Sequence, residues 1–436
     1  MRILGLVTLC AVVAALSLAL MVGGRGDVLR FEYHPDTDAP AISTSHLSLE
    51  PGWQVEGVRT VPGEVNALLV GQNDDPKDLR GILFVGTSGA GAIYRLLPIS
   101  RGDPMVIVEG LGDANNLGQC YVNHLALHDL DGDGMLELLG STSQVAPRGL
   151  PRLGVWSLCS HVAAPRALTR PEIQSSWSHS LGFLPRPGQG PDSAFITFCG
   201  YGEVVEYRMK GRQASGEGFL HDELGWKVVG QTPASGEWLQ VADADNDGRP
   251  DVCIATGYAP GKAAVLIEES AAPGAQLRLR HRIDEGGRFG NVRFQVVEFG
   301  QTGTQEIVAW WCTGLADGDA EMIAYELGPE GVRTRTVVAQ ASSSDLWPDD
   351  GHFTTGDLDG DGRTEVWFAA GGGQIWRYAP EGLSSAASSE ALTLVARFHT
   401  AIGAIAIGPD LMTARQRLYL GCGKSILSLC PGHPKA

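Results

Sequence analysis

The chain has 436 residues, a formal net charge of −17 and 58 glycines. Its length allows a large core, and its acidity argues against binding to nucleic acid or to anionic membrane surfaces, because both require basic patches.

Residues 1–26 are predicted to be a targeting segment. Arg2 precedes an apolar run over residues 3–22, and Gly23-Gly24-Arg25-Gly26 ends it. This pattern favours a cleaved signal peptide over a retained N-terminal anchor, and only the anchor would attach the protein to a membrane. Either one predicts a secreted, periplasmic or cell-surface protein. Residues 27–51 form a lead-in to which no structure is assigned.

Three acidic loops follow at equal intervals. The loop that begins at Asp243 lies 114 residues after the one at Asp129, and the loop at Asp357 lies 114 residues further on. Acids at positions 1, 3, 5 and 9, with glycine at position 6, predict a Ca²⁺ site, because Ca²⁺ takes six to eight oxygen ligands. Including position 7, the candidate metal residues are Asp129, Asp131, Asp133, Met135, Glu137, Asp243, Asp245, Asp247, Arg249, Asp251, Asp357, Asp359, Asp361, Arg363 and Glu365.

The loops share their first positions with an EF-hand but differ from it afterwards. An EF-hand needs a glutamate at position 12, where these loops have Gly140, Ile254 and Phe368. Strand-like runs rather than helices follow each loop. A calcium-binding β-turn is therefore predicted, with up to three structural ions; a plain acidic turn is the alternative.

Half of the 114-residue interval predicts weaker copies of the loop near residues 186 and 300. Residues 184–192 keep the ninth-position acid, Asp192, and residues 298–306 keep acids at both ends and Gly303 at position 6. A repeat of about 57 residues with several short strands is typical of a propeller or a solenoid.

The loop within a four-strand repeat resembles the FG-GAP/VCBS family, which includes the integrin α-subunit propeller. The resemblance covers roughly residues 50–430 and implies a calcium-binding β-propeller. Seven third strands can be traced, beginning near residues 92, 154, 203, 264, 322, 374 and 425.

The last repeat has no fourth strand, and residues 52–57 resemble residues 225–230, the fourth strand of an earlier repeat. The predicted fold is therefore an all-β, seven-bladed β-propeller of four-stranded blades over residues 52–436, its ring closed by the N-terminal strand.

The residue five positions before each loop should begin an inner strand at the opposite, top face. These residues are His124, His179, Trp238, Arg293 and His352, with Asn66 and Ala404 from the first and last repeats. They suit a pocket for a sugar or a metal; the alternative is a solvated channel without a ligand.

The predicted function is an extracytoplasmic scaffold that binds a protein or carbohydrate on its top face. The alternative is a polysaccharide lyase or hydrolase at the mouth of the channel. The sequence shows no Gly-x-Ser-x-Gly, His-Glu-x-x-His or phosphate-binding glycine-rich motif, so no catalytic residue is assigned.

Overall fold

The computed structural model describes these parts of the chain: residues 48–72, 81–88, 91–96, 105–108, 119–130, 136–145, 152–157, 166–169, 180–186, 192–197, 202–209, 224–257, 262–285, 292–299, 303–311, 319–342, 353–370, 373–380, 391–411 and 415–432. All of them belong to one unit, Ala39–Ala436. No helix in these parts is long and apolar enough to cross a membrane.

The regular elements of the described residues are β-strands. In chain order they are β1 (Ser48–Leu49), β2 (Trp53–Thr60), β3 (Val65–Gln72), β4 (Gly81–Thr87), β5 (Ile93–Leu96), β6 (Met105–Val108), β7 (Gln119–His128), β8 (Glu137–Val145), β9 (Arg152–Ser157), β10 (Arg166–Thr169), β11 (Leu181–Leu184), β12 (Ser193–Thr197), β13 (Glu203–Met209), β14 (Leu224–Gln231), β15 (Ser235–Ala242), β16 (Asp251–Gly257), β17 (Ala264–Glu269), β18 (Arg278–Ile283), β19 (Val292–Glu298), β20 (Gln305–Trp311), β21 (Asp319–Gly328), β22 (Gly331–Ser342), β23 (Phe353–Gly356), β24 (Glu365–Ala370), β25 (Gln374–Tyr378), β26 (Leu392–Arg397), β27 (Ala404–Pro409), β28 (Gln416–Cys422) and β29 (Ser425–Pro431).

These strands form antiparallel sheets, six with four strands and one with five. Their first strands, β3, β7, β11, β15, β19, β23 and β27, contact one another in turn, and β27 returns to β3. The sheets therefore surround a central axis as in a β-propeller, and the predicted all-β propeller of four-stranded blades is confirmed. The five-stranded sheet is the departure from that pattern, because β1 adds to β26.

The core lies between neighbouring sheets. Second strands such as β4, β16 and β24 are buried along their whole length, because each is covered on both faces by the adjacent sheets. Between β16 and β20, for example, Cys253 and Ala255 pack in one cluster with Phe294, Ile307 and Trp311. Burying each large apolar side chain contributes roughly 1.5–3 kcal/mol, so this packing is the main stabilising force.

The N-terminal strand closes the ring as predicted. Strand β2 pairs with β29 from Trp53 opposite Pro431 to Thr60 opposite Ser425, so the last sheet has the order β2-β29-β28-β27. Just before it, β1 extends the neighbouring sheet, with Ser48 opposite Arg397. The end of the lead-in, for which the sequence predicted no structure, thus joins two sheets at the point where the ring closes.

Polar side chains bridge the inner strands. The Gln240 side chain accepts from the Val296 amide (2.9 Å) and donates to its carbonyl (3.3 Å), which joins β15 to β19. On the other side, the Leu239 amide donates to the Ser180 hydroxyl (2.6 Å). Such bonds give a partner to backbone groups that would otherwise be buried without a hydrogen bond where two sheets meet.

The predicted acidic loops and their two weaker copies each connect the first and second strands of a sheet. Strands flank all of them, which agrees with the β-turn and not with an EF-hand. The loops therefore lie at the end of the inner strands opposite to the predicted top face.

Candidate functional site

The loop between β15 and β16 folds its acidic side chains onto its own backbone. Asp243 accepts hydrogen bonds from the amides of Asp247 (3.0 Å) and Gly248 (2.9 Å). The Asp247 amide also donates to Asp245 (3.2 Å), and the Asp247 carboxylate accepts from the Arg249 amide (2.9 Å). These bonds orient the carboxylates of positions 1, 3 and 5 toward one point.

The loop between β23 and β24 repeats this geometry. Asp357 accepts from the amides of Asp361 (3.1 Å) and Gly362 (2.8 Å). The Asp361 amide also donates to Asp359 (3.2 Å), and the Asp361 carboxylate accepts from the Arg363 amide (2.8 Å). Two loops 114 residues apart in the sequence therefore adopt one conformation.

Positions 4 and 6 of both loops have left-handed backbones. The φ angles are 58° at Asn246 and 77° at Gly360, and 84° at Gly248 and 85° at Gly362. Glycine takes this conformation without strain and asparagine takes it more readily than most residues. The predicted reason for glycine at position 6 is confirmed, and position 4 has the same requirement.

The donor atoms are compatible with a calcium ion. Asp243, Asp245 and Asp247 each bring one carboxylate oxygen to within 4.8 Å of the others, and so do the three acids of the second loop. Two oxygens bound to one Ca²⁺ at 2.3–2.6 Å lie at most about 5 Å apart, and hard oxygen donors suit this ion. Backbone carbonyls or waters would supply the remaining ligands.

The ninth-position acids are buried beside these clusters. Asp251 accepts from the Ala244 amide (3.2 Å), and Glu365 accepts from the Trp367 indole nitrogen (2.9 Å). Burial, helped by the nearby Asp245 carboxylate, raises the pKa of Asp251 to about 7. Burial also raises the pKa of Glu365 to about 7, although Arg377 opposes the shift. A bound cation would favour the ionised form of both groups.

The first acidic loop is described only at its ends. Glu137, at position 9, is buried and accepts from the Leu130 amide (2.8 Å), as Asp251 does from Ala244. Asp129 lies in the described part of the chain. Three predicted ligands fall outside it: Asp131, Asp133 and Met135.

Each described loop also has an arginine that the sequence analysis did not identify. Arg280, on β18, lies 3.0 Å from Asp245 and 3.1 Å from Asp247. Arg377, on β25, lies 2.6 Å from Asp359 and also pairs with Glu365. Arg280 is on the fourth strand of its sheet and Arg377 on the third, and both reach the loop from a distant part of the sequence, so no local sequence pattern indicates them.

A cavity of about 330 Å³ occupies the axis between the inner strands. His124 and Trp238 line it, together with Asn66 and Ala404, and all four belong to inner strands. His124 and Trp238 lie within β7 and β15 rather than at their first residues, where the sequence placed them. The His124 ring lies edge-on to the Trp238 indole, with 5.9 Å between centroids. Two other candidates, His179 and His352, lie outside the described residues.

Arg293 does not line this cavity. Its side chain is 1% exposed, its guanidinium lies 5.5 Å from the centroid of Trp238, and it donates to the Glu237 carbonyl (2.9 Å). The expectation of an accessible arginine was wrong, although Arg293 and Trp238 hold equivalent register positions: Trp238 pairs with Ala255 and Arg293 with Trp310. The Arg293 side chain is instead turned onto the Trp238 ring and the Glu237 carbonyl of the neighbouring sheet, and this contact buries it.

No protein-family model and no curated protein sequence matches the chain. Among solved structures, the WD40 domain of SCAP from fission yeast is 10% identical, with 89% of this chain and 98% of that chain covered and a TM-score of 0.42. The calcium and iodide structures of the Trichoderma reesei Carbohydrate-Active Enzymes Family AA12 protein are each 13% identical to this chain. Each match covers 91% of this chain and 100% of that chain, with a TM-score of 0.41. Similarities this distant carry no information about function.

Proposed function

We propose that this protein is an extracytoplasmic, calcium-stabilised β-propeller of the FG-GAP/VCBS type that acts as a binding scaffold. The observation that carries the proposal is the pair of equivalent loops, each with three carboxylate oxygens within 4.8 Å of one another. Three acids held this close repel one another, and one arginine in each loop offsets only part of their charge, so a further cation is attracted to them. Calcium would therefore stiffen the turns between the inner and second strands.

The ligand, a protein or a glycan, is proposed to bind at the top face, where the axial cavity ends between the inner strands. His124 and Trp238 offer an imidazole and an indole there, and Asn66 and Gln295 offer amides. Aromatic rings and amides are the groups that commonly contact sugars and peptide backbones. A secreted, periplasmic or cell-surface location follows from the predicted targeting segment.

The enzymatic alternative receives less support from this site. Among the described residues that line the cavity, His124 is the only one with a titratable side chain. Lyases and hydrolases need paired acid and base groups, and the nearby Glu237 is buried beside Arg293, 3.7 Å away. The scaffold is therefore the better account.

Two binding measurements test the proposal. Calorimetry with Ca²⁺ should show binding to the wild-type protein and fewer sites in Asp245→Asn and Asp359→Asn, with Mg²⁺ as the comparison ion. Absence of calcium binding would reject the metal proposal.

A panel of glycans and peptides, screened against wild type and His124→Ala, tests the top face. A ligand whose affinity is unchanged in His124→Ala and Trp238→Ala would reject that location.

A further inference from the structure

The acidic loops carry positive partners that are part of the protein. Arg280 bridges two different acids, Asp245 and Asp247, at 3.0 and 3.1 Å. Arg377 likewise bridges Asp359, at 2.6 Å, and Glu365. In both loops the acid at position 3 gives one oxygen to the loop backbone and the other to the arginine. In Asp245 this second oxygen also lies 3.2 Å from the His281 ring.

Burial explains why these loops need a positive partner. The Asp245 side chain is fully buried and the Glu365 side chain is 1% exposed. An isolated buried carboxylate is strongly disfavoured, and a hydrogen-bonded guanidinium is the usual compensation. Each arginine contacts two acids and therefore acts as a cation that both acids share. A residue that only oriented one metal ligand would contact a single acid.

Two loops without the acidic triad use the same solution. In the loop between β11 and β12, Arg186 lies 3.7 Å from Glu206, and both side chains are buried. In the loop that follows β27, Asp410 pairs with Arg417 of β28, which also lies 2.6 Å from Glu56. An arginine is thus a recurrent source of positive charge at this end of the propeller.

We propose that Arg280 and Arg377 are internal counter-ions that keep the acidic loops folded without metal and lower their affinity for calcium. The inference rests on the proposed calcium binding. An incoming Ca²⁺ must share the carboxylates with a guanidinium and is repelled by it. The arginines therefore set the calcium concentration at which the loops respond.

The test isolates the loop between β15 and β16. In a background with Asp131→Asn and Asp359→Asn, which weakens the other two loops, Arg280→Gln is compared with its parent. Calcium affinity should rise about tenfold, the size of the repulsion between a single and a double charge roughly 6 Å apart in water. In chelator, the melting temperature of Arg280→Gln should fall, because the buried Asp245 then loses its guanidinium partner and keeps only the His281 ring, 3.2 Å away.

Arg282→Gln is the matched control. Arg282 lies on the same strand, is exposed, and pairs with the exposed Asp284 at 2.7 Å. It should change neither quantity. A calcium affinity that is unchanged or weaker in Arg280→Gln overturns the inference while leaving calcium binding intact. If neither the parent nor Arg280→Gln binds calcium, both the proposed metal site and this inference are rejected. A melting temperature in chelator that is the same in Arg280→Gln and its parent rejects the counter-ion role by itself.

Discussion

Glu268 is a carboxyl group buried in β17, and one of its oxygens, Oε2, has no hydrogen-bond partner. Its cross-strand neighbours are Val252 and Leu279. Burial raises its pKa to about 7 from an ordinary value of 4.5. Because the folded pKa lies above the unfolded one, the folded protein is favoured at low pH, and this contribution is lost as the pH rises through 7.

The raised pKa of Glu268 predicts how the free energy of unfolding depends on pH. Between pH 4.5 and 7 the unfolded chain loses the Glu268 proton while the folded protein keeps it, so the free energy of unfolding should fall by about 3 kcal/mol, the equivalent of the shift in pKa. In Glu268→Gln, the free energy of unfolding should decline less between pH 5 and 8 than in the wild type, as measured by urea denaturation. Glu269→Gln, which alters the adjacent and partly exposed acid, should keep the wild-type slope. Equal slopes for wild type and Glu268→Gln would show that the carboxyl is solvated.

Asn246 shows how a loop fastens one sheet to the next. Its side chain accepts from the Gln305 amide (2.6 Å) and donates to the carbonyls of Gln305 and Leu327, both at 3.1 Å. The equivalent position in the other described loop is Gly360, which has the same left-handed backbone but no side chain. Asn246 therefore serves the turn and the junction between sheets together.

Two substitutions separate these roles of Asn246. Asn246→Gly keeps the backbone conformation and removes the hydrogen bonds, so it should destabilise the protein by about 1–3 kcal/mol. Asn246→Ala should cost about 1 kcal/mol more, because alanine is strained at φ 58°. Chemical denaturation measures both. An Asn246→Gly variant as stable as wild type would mean that the junction does not depend on this side chain.

Among the elements, those that recur could be predicted from the sequence. Acid loops at a fixed interval and seven similar third strands indicated the propeller, and the similarity of residues 52–57 to residues 225–230 indicated the closing strand. Contacts made across strands could not be predicted. Arg280 and Arg377 reach the loops from other strands, and the Arg293 side chain turns onto Trp238 of the neighbouring sheet. The two residues of β1 are too few to show alternation.

The closing strand and the second described loop meet through tryptophans. Trp53 on β2 lies edge-on to Trp367, with 5.3 Å between ring centroids. Trp367 in turn donates to Glu365 in the acidic loop (2.9 Å). The same hydrophobic cluster contains residues of β24, β26, β28 and β29, so Trp53 packs where the ring closes.

Removing the Trp53 ring should therefore weaken closure. Trp53→Ala is expected to lower the free energy of unfolding by about 3 kcal/mol, and Trp53→Phe by clearly less, because phenylalanine keeps an aromatic contact. Denaturation followed by circular dichroism measures the loss. Equal stability of Trp53→Ala and wild type would show that the backbone pairing of β2 with β29 suffices for closure.

The dependence of stability on calcium tests most directly whether the acidic loops hold the propeller together through bound ions. The wild-type protein is melted in millimolar Ca²⁺ and in chelator, beside a variant with Asp131→Asn, Asp245→Asn and Asp359→Asn. Three sites at ten times their dissociation constant would add about 4 kcal/mol, which corresponds to a rise of about 5 °C for a domain of this size. The wild type should show this rise, and the triple variant should lose it. Identical melting temperatures with and without calcium would contradict it.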